Sequence, residues 1–264
     1  MTAPLLLRKI AITAVAVSAS MVLPTASALP AIPAPGGGFQ ACTADACGTI
    51  GYAWADDSGA PVGHVTVAHL VSEVGQQVTS TAFNGVPVTT MTTLKSTHDA
   101  DLSVVSAVSS DLSSSITLSD GTVLTVSGYA TEGDIKSGQR VCHSGWNGTT
   151  ATMHEVCGTV DSIGPSAACQ AAGTGTSTCV VLFAPPAGTR GGGPGDSGAA
   201  AYSYQPDGSV TVIGNYRGTT TEGKAIIEPV YAAIQIFGGR PYLGGTIIPH
   251  GPLPAGLTSG SNGS

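Results

Sequence analysis

The sequence predicts an all-β protein, an antiparallel sandwich or barrel, with one short helix near its end. Three observations carry this prediction. Short β-rich runs recur along residues 48–229 and are separated by Gly, Asp, Asn and Ser. Helical periodicity occurs only at 230–237 (VYAAIQIF), and Gly238 and Gly239 follow it as a stop signal. The chain is 42% hydrophobic, which is enough for a core and argues against global disorder.

The individual strands follow from apolar or alternating runs bounded by turn residues. The predicted strands are 48–54, 62–68, 87–94, 101–107, 113–118, 122–129, 139–143, 155–160, 178–184, 198–204, 208–216 and 224–229. About half of them lie on each side of 132–138 (EGDIKSG), which is the best candidate for a join. We therefore predict an N-terminal half at 40–133 and a C-terminal half with the helix at 134–240. A Pro/Gly-rich lead-in at 29–39 and a flexible tail at 241–264 flank them.

Residues 1–28 are predicted to be a signal peptide rather than part of the fold. Arg8 and Lys9 precede an apolar run at 10–23, and 26–28 (ASA) form a small-residue cleavage site. A retained membrane anchor is the alternative, but the run is short for a bilayer span. The mature chain is expected to begin at Leu29, to be secreted (extracellular or cell-wall associated), and to have no membrane association after cleavage.

The charge balance disfavours an anionic partner. The net charge is −7, and it becomes −9 without Arg8 and Lys9, which are the only charged residues of the signal peptide. A chain this acidic is a poor candidate for binding nucleic acid or an anionic membrane.

Six cysteines follow the signal peptide, and an even number in an exported chain predicts three disulfides. Sequence leaves the pairing open, and we favour nearest neighbours: Cys42–Cys47, Cys142–Cys157 and Cys169–Cys179. A zinc site is the rival interpretation, but no Cys-x-x-Cys or His-x₃-His pair occurs. We expect neither a metal nor a cofactor.

Residues 191–199 (GGGPGDSGA) place one serine, Ser197, in a loop nearly free of side chains. Glycine permits turns closed to other residues, so the N–H groups of Gly195 and Ser197 can point at one oxyanion position. A hydroxyl needs a base before it is a useful nucleophile. His69 ends the run 64–69 (HVTVAH), and Asp101 begins a buried-looking strand at 101–105 (DLSVV). The alternative interpretation of His69 is a structural histidine, and that of Asp101 is a turn residue or strand cap. Asp99, two residues earlier, is the rival candidate for the acid.

The order His69, Asp101, Ser197 in an exported all-β chain resembles the chymotrypsin-fold (trypsin-like) serine proteases, specifically the secreted actinobacterial streptogrisin and alpha-lytic protease branch. Four segments carry the resemblance. They are 66–69 (TVAH), the cysteine hairpin 141–145 (VCHSG) with 157–159 (CGT), the nucleophile loop 194–198 (PGDSG), and 227–230 (IEPV) before the helix.

The resemblance implies two six-stranded antiparallel β-barrels with the site between them, and a serine endopeptidase acting on polypeptides. It assigns Ser197 as the nucleophile and His69 as the general base. Asp101 orients His69, and the Gly195 and Ser197 N–H groups form the oxyanion hole. Such an enzyme is expected to be a monomer.

Two departures from the family pattern affect the surroundings of Ser197. The bacterial branch has an Arg after the hairpin cysteine, where this chain has His143, and we predict that His143, or failing that Arg140, pairs with Asp196. Arg217 falls where a small residue supports the catalytic Asp.

The substrate pocket is assigned to Gly191, Tyr216, Arg217 and Gly218. Gly191 replaces the Asp that marks cleavage after Lys or Arg, so a neutral pocket for a small or apolar residue is expected.

Two alternative functions remain at this point. One is a catalytically inactive chymotrypsin-fold binding protein at the cell surface. The other is an α/β-hydrolase esterase using Ser197 with the later Asp207 and His250, although Ala199 breaks its Gly-x-Ser-x-Gly motif and helical periodicity is scarce.

Overall fold

The computed structural model describes residues 36–81, 87–106, 112–118, 122–147, 152–164, 180–182 and 190–244. The predicted signal peptide, most of the lead-in, the Cys169–Cys179 pair and the tail from residue 245 lie outside these ranges.

The described chain is built from strands with one short α-helix, α1, at Val230–Phe237. The strands are β1 Gln40–Cys42, β2 Cys47–Thr49, β3 Tyr52–Ala55, β4 Pro61–Thr66, β5 Gln77–Thr81, β6 Pro87–Thr97, β7 Leu102–Ser106, β8 Ser115–Thr117, β9 Val123–Tyr129, β10 Arg140–Asn147, β11 Thr152–Ile163, β12 Val180–Leu182, β13 Ala200–Tyr204, β14 Val210–Thr219, β15 Ala225–Pro229 and β16 Arg240–Pro241. The prediction of an all-β protein with a terminal helix is confirmed.

These strands form two curled sheets, each containing eight of the described strands. The first sheet has the order β16-β3-β4-β7-β6-β5-β1-β2, and the second has β13-β10-β11-β12-β15-β14-β9-β8 with an additional β13–β14 pairing. Each sheet has more strands than the six expected for each barrel, because short segments such as β8 and β16 also pair with it. The strand pairs are antiparallel except β9 with β14, which runs parallel.

Two segments hydrogen-bond with the sheet formed mainly by the other half of the chain. Strands β8 and β9 precede residue 133 and yet join the second sheet through β14. Strand β16 follows α1 and pairs with β3 of the first sheet, and Tyr242 then donates its N–H to the Ala53 carbonyl. The division of the chain at residue 133 stays a prediction.

Apolar side chains of both sheets meet in the largest of three buried clusters. Tyr52, Trp54 and Leu102 of the first sheet lie in the same buried cluster as Tyr202 and Val212 of the second. Helix α1 covers this core with its buried face and ends at Gly238, whose φ is 67° and whose N–H donates to Ile234 O. No helix of the described ranges is long and apolar enough to cross a membrane.

Strand β5 was missed because its sequence, QVTST, contains one apolar residue and offers almost no hydrophobic signal. It is held between β1 and β6 by backbone hydrogen bonding.

Candidate active site

His69 lies in the tight turn that follows β4. The N–H groups of Leu70 and Val71 donate to Val67 O and fold the chain back at this point. The ring Nδ1 lies 2.7 Å from Asp101 Oδ2, while about half of the side chain remains exposed. The imidazole is therefore fixed on one side and exposed to solvent on the other.

Asp101 is a buried carboxylate that is oriented toward His69. Its backbone has φ 49°, in the left-handed region that Asp tolerates better than most residues. The backbone N–H of His69 donates to Asp101 Oδ1 at 2.7 Å, so both carboxylate oxygens accept from the same residue. The competing Asp99 is exposed. This two-point contact fixes the tautomer of His69 with its proton on Nδ1.

Ser197 occupies a compact turn between two residues with positive φ, Gly195 at 93° and Gly198 at 91°. The turn is closed by hydrogen bonds from Gly193 N–H to Asp196 Oδ2 and from Ala199 N–H to Asp196 O. Within the described ranges, the N–H groups of Gly195 and Ser197 donate to no protein acceptor. An oxyanion would find these two donors without displacing a protein partner.

Thr49 of the first sheet attaches this loop to the rest of the molecule. Its N–H donates to Ser197 O and its hydroxyl donates to Gly195 O, both at 2.7 Å. The same hydroxyl accepts from the N–H of Trp146 on β10 at 2.8 Å. Thr49 is fully buried, so it joins the loop to both sheets where water does not compete.

The chain segments that carry His69 and Ser197 meet at small residues. A Cβ on Gly48 would lie 2.7 Å from Ser197 O and 2.9 Å from the Leu70 side chain. A Cβ on Gly198 would lie 2.3 Å from the Thr66 hydroxyl at the end of β4. Among the described residues, no hydrogen bond joins the Ser197 hydroxyl to the His69 ring. In free enzymes such bonds are often long and tighten when substrate binds.

Arg217 is directed at Asp101 by a β-bulge. The pairing of β14 with β15 skips from Tyr216–Ile227 to Gly218–Ile226, which leaves Arg217 as the extra residue. Its Nε lies 3.2 Å from Asp101 Oδ2, and its Nη1 lies 3.5 Å from Glu228 Oε2. Bulges commonly re-aim a side chain beside an active site. Arg217 as a contact for substrate stays a prediction.

His143 is buried beside the nucleophile loop. Its Nε2 lies 2.6 Å from Gly191 O, and its ring stacks on Tyr216 with the centroids 4.4 Å apart. The fully buried Asp196 packs against β10, where a Cβ on Gly145 would meet its Oδ1 at 2.5 Å. Arg140, the second choice as partner of Asp196, is exposed. The pairing of His143 with Asp196 stays a prediction.

The other residues assigned to the substrate pocket lie along the same loop and strand. Gly191 and Tyr216 are buried, and a Cβ on Gly192 would lie 2.5 Å from the Tyr216 hydroxyl. Burial raises the pKa of Tyr216, as does the nearby charge of Asp196, so the phenol is neutral at physiological pH. A Cβ on Gly218 would meet no atom within 4 Å.

Two of the predicted disulfides are present, Cys42–Cys47 and Cys142–Cys157. Within the described ranges, one cluster has ligand atoms close enough for a metal ion, namely Cys142, Glu155 and Cys157. Its two sulfurs form a disulfide and are not available as thiolates.

Sequence reasoning missed Thr49 and Glu228. A threonine that binds two backbone groups leaves no signal in sequence. Glu228 did leave one, because it is the only charged residue of β15, whose residues are all buried. A lone acid in such a strand needs a buried cation.

Comparison with solved structures identifies the fold. Thermobifida fusca protease A matches with a TM-score of 0.56 and 21% identity, over 78% of this chain and 96% of that protein. An alpha-lytic protease homologue, N4, matches with a TM-score of 0.54 and 22% identity, over 78% and 97%. No family model and no curated protein matches. The chain therefore has the fold of the chymotrypsin-like serine proteases, and the all-β architecture rules out the α/β-hydrolase alternative.

Proposed function

We propose that this protein is a secreted, monomeric serine endopeptidase that hydrolyses polypeptides through an acyl-enzyme. The observation that carries the proposal is the two-point contact of Asp101 with His69, through Nδ1 and through the backbone N–H. This contact leaves Nε2 of the exposed ring edge as the proton acceptor. The fold supports the proposal because two similar structures are named proteases.

In the proposed reaction, the Ser197 hydroxyl attacks the scissile carbonyl while His69 Nε2 takes its proton. Asp101 stabilises the imidazolium that forms, and the Gly195 and Ser197 N–H groups stabilise the oxyanion. His69 then donates the proton to the leaving amine, and water hydrolyses the acyl-enzyme with His69 again as base.

Fluorophosphonate labelling of the purified mature protein tests the proposal. We expect one adduct at Ser197, mapped by mass spectrometry, that is lost in Ser197→Ala and His69→Ala. Ser58→Ala is the matched control, since Ser58 is an exposed serine in a surface turn. A folded wild-type protein that takes no label would contradict the proposal and favour a catalytically inactive binding protein.

A peptide-library digest tests the substrate class. The proposed pocket has Gly191 at the position where an acid would select a basic residue, and the Tyr216 ring lies close to Gly192. We expect cleavage after small or apolar residues. Preferred cleavage after Lys or Arg would contradict the pocket assignment.

A further inference from the structure

Arg217 introduces a buried positive charge beside the proposed base. Its side chain is 11% exposed, and its Nε and the His69 Nδ1 approach the same oxygen, Asp101 Oδ2, at 3.2 Å and 2.7 Å. The two nitrogens are therefore no more than about 6 Å apart, a separation at which charges interact appreciably even with partial screening.

Glu228 is placed to offset this charge. It is fully buried, and it lies opposite Asn215 in the β14–β15 register, two residues before Arg217 on β14. The 3.5 Å contact between Arg217 Nη1 and Glu228 Oε2 completes a row of alternating charges: Glu228, Arg217, Asp101 and His69.

Stability alone does not explain such a row. A buried ion pair usually contributes no more to folding than apolar residues of the same size, because both charges must be desolvated. The row instead has a direct effect on His69. Arg217 and His69 share one oxygen of Asp101, and Glu228 contacts the other end of the Arg217 guanidinium with an opposite charge.

We propose that Arg217 and Glu228 are a positioning pair that holds Asp101 in place and sets how strongly Asp101 favours the protonated form of His69. The inference rests on the proposed function for its catalytic meaning. Its electrostatic content is independent of catalysis and is testable without substrate.

The charged and titratable groups around the pair come from several elements. Strand β14 supplies Arg217, β15 supplies Glu228, and the loops supply His69 and Asp101. Helix α1 supplies Tyr231, on whose hydroxyl the charges of both Glu228 and Glu132 act. His98 and Asp99 are exposed in the turn before Asp101.

Glu228→Gln is the decisive variant, since it keeps the shape of the side chain and removes its charge. In a Ser197→Ala background, NMR titration of the His69 ring should show a midpoint about one pH unit lower. In the active protein, the acidic-side midpoint of kcat/KM should fall with it while KM changes little. Glu222→Gln is the matched control, because Glu222 is an exposed acid on Lys224 and should shift neither midpoint.

Arg217→Met combined with Glu228→Gln removes both charges while retaining bulk. Because Arg217 contacts the same Asp101 oxygen as His69, and Glu228 contacts Arg217, the midpoint should return to the wild-type value or rise above it. This double variant also serves if Glu228→Gln fails to fold, since it leaves no uncompensated buried charge. Arg217→Lys with native Glu228 keeps the positive charge, so the His69 midpoint should stay close to the wild-type value.

A His69 midpoint that is unchanged in folded Glu228→Gln overturns the inference. A double variant whose midpoint falls below the wild-type value does so as well. If the midpoint shifts as expected but the wild-type protein takes no fluorophosphonate label, the proposed function fails and the electrostatic pair stands.

Discussion

Thr49 offers a sharp test of how the nucleophile loop is held. Its buried hydroxyl donates to Gly195 O at 2.7 Å and accepts from Trp146 N–H at 2.8 Å. Thr49→Val replaces the hydroxyl with a methyl group of similar size, so it removes both hydrogen bonds without opening a cavity. Thr49→Ser is the matched control, since it keeps the hydroxyl and loses only the methyl group.

The expected magnitudes follow from burial. Leaving a backbone donor or acceptor without a partner inside a protein costs about 1–3 kcal/mol, so the two groups together should cost about 2–6 kcal/mol in Thr49→Val, and the part-buried setting of both bonds favours the lower end. Removing a buried methyl group in Thr49→Ser should cost about 1 kcal/mol. The valine variant should therefore be the less stable of the two by at least about 1 kcal/mol.

The assay is equilibrium unfolding in guanidinium chloride with the disulfides intact, comparing midpoints at a common slope. Fluorophosphonate labelling of Ser197 in the folded variants should follow the same order, because only Thr49→Val loses the side-chain hydrogen bond to Gly195 O, while both variants keep the backbone bond to Ser197 O. A valine variant as stable as the serine variant would show that the Thr49 hydroxyl does not hold the loop. It would mean that the two backbone groups find other partners at no cost.

Three further predictions follow from individual contacts. Gly145→Ala should slow labelling of Ser197, because the new Cβ would lie 2.5 Å from Oδ1 and 2.8 Å from Cα of Asp196 and would displace that residue. Gly133→Ala is the control and should not slow labelling, because its Cβ meets nothing within 4 Å. Replacing Cys142 and Cys157 by Ser should lower the free energy of unfolding by about 3 kcal/mol, because their disulfide closes the longer loop. Replacing Cys42 and Cys47 by Ser should lower it by about 2 kcal/mol, and equal losses in the two variants would contradict the loop-entropy argument. Burial, with the charges of Glu132 and Glu228, raises the pKa of Tyr231 to about 12 from about 10 in the unfolded chain. The neutral phenol thus stabilises the fold fully below pH 10, and this contribution is lost as the pH rises toward 12. In Tyr231→Phe the free energy of unfolding should therefore fall less steeply between pH 10 and pH 12. An unchanged slope in alkaline denaturation curves would count against this assignment.

Much of the fold was predictable because its signals are local. The turn residues that divide the strands and the helical period of 230–237 depend on neighbours in sequence, and α1 occupies the predicted range. The two disulfides of the described ranges also join near neighbours. Strand β5 was not predictable, since its polar sequence is held in the sheet by long-range backbone pairing.

The candidate site divides in the same way. The sequence alone predicted candidate groups for the chemistry: a serine among glycines, a histidine at a strand end, and an aspartate before a buried strand. Each of these residues is recognised by its type, because the chemistry that its functional group can perform does not depend on distant parts of the chain. The aspartate was chosen over Asp99 by its strand, and in the structure Asp101 is the carboxylate that contacts His69.

Only the tertiary structure decided what surrounds those groups. The β-bulge that turns Arg217 toward Asp101 is a register shift between β14 and β15, and no residue type in the sequence predicts it. Thr49, Gly195 and Trp146 are far apart in sequence and meet because strands of the two sheets approach each other beside the nucleophile loop. The physical reason is that functional groups belong to single residues, whereas the contacts and burial that hold and tune them arise between distant segments when the chain closes.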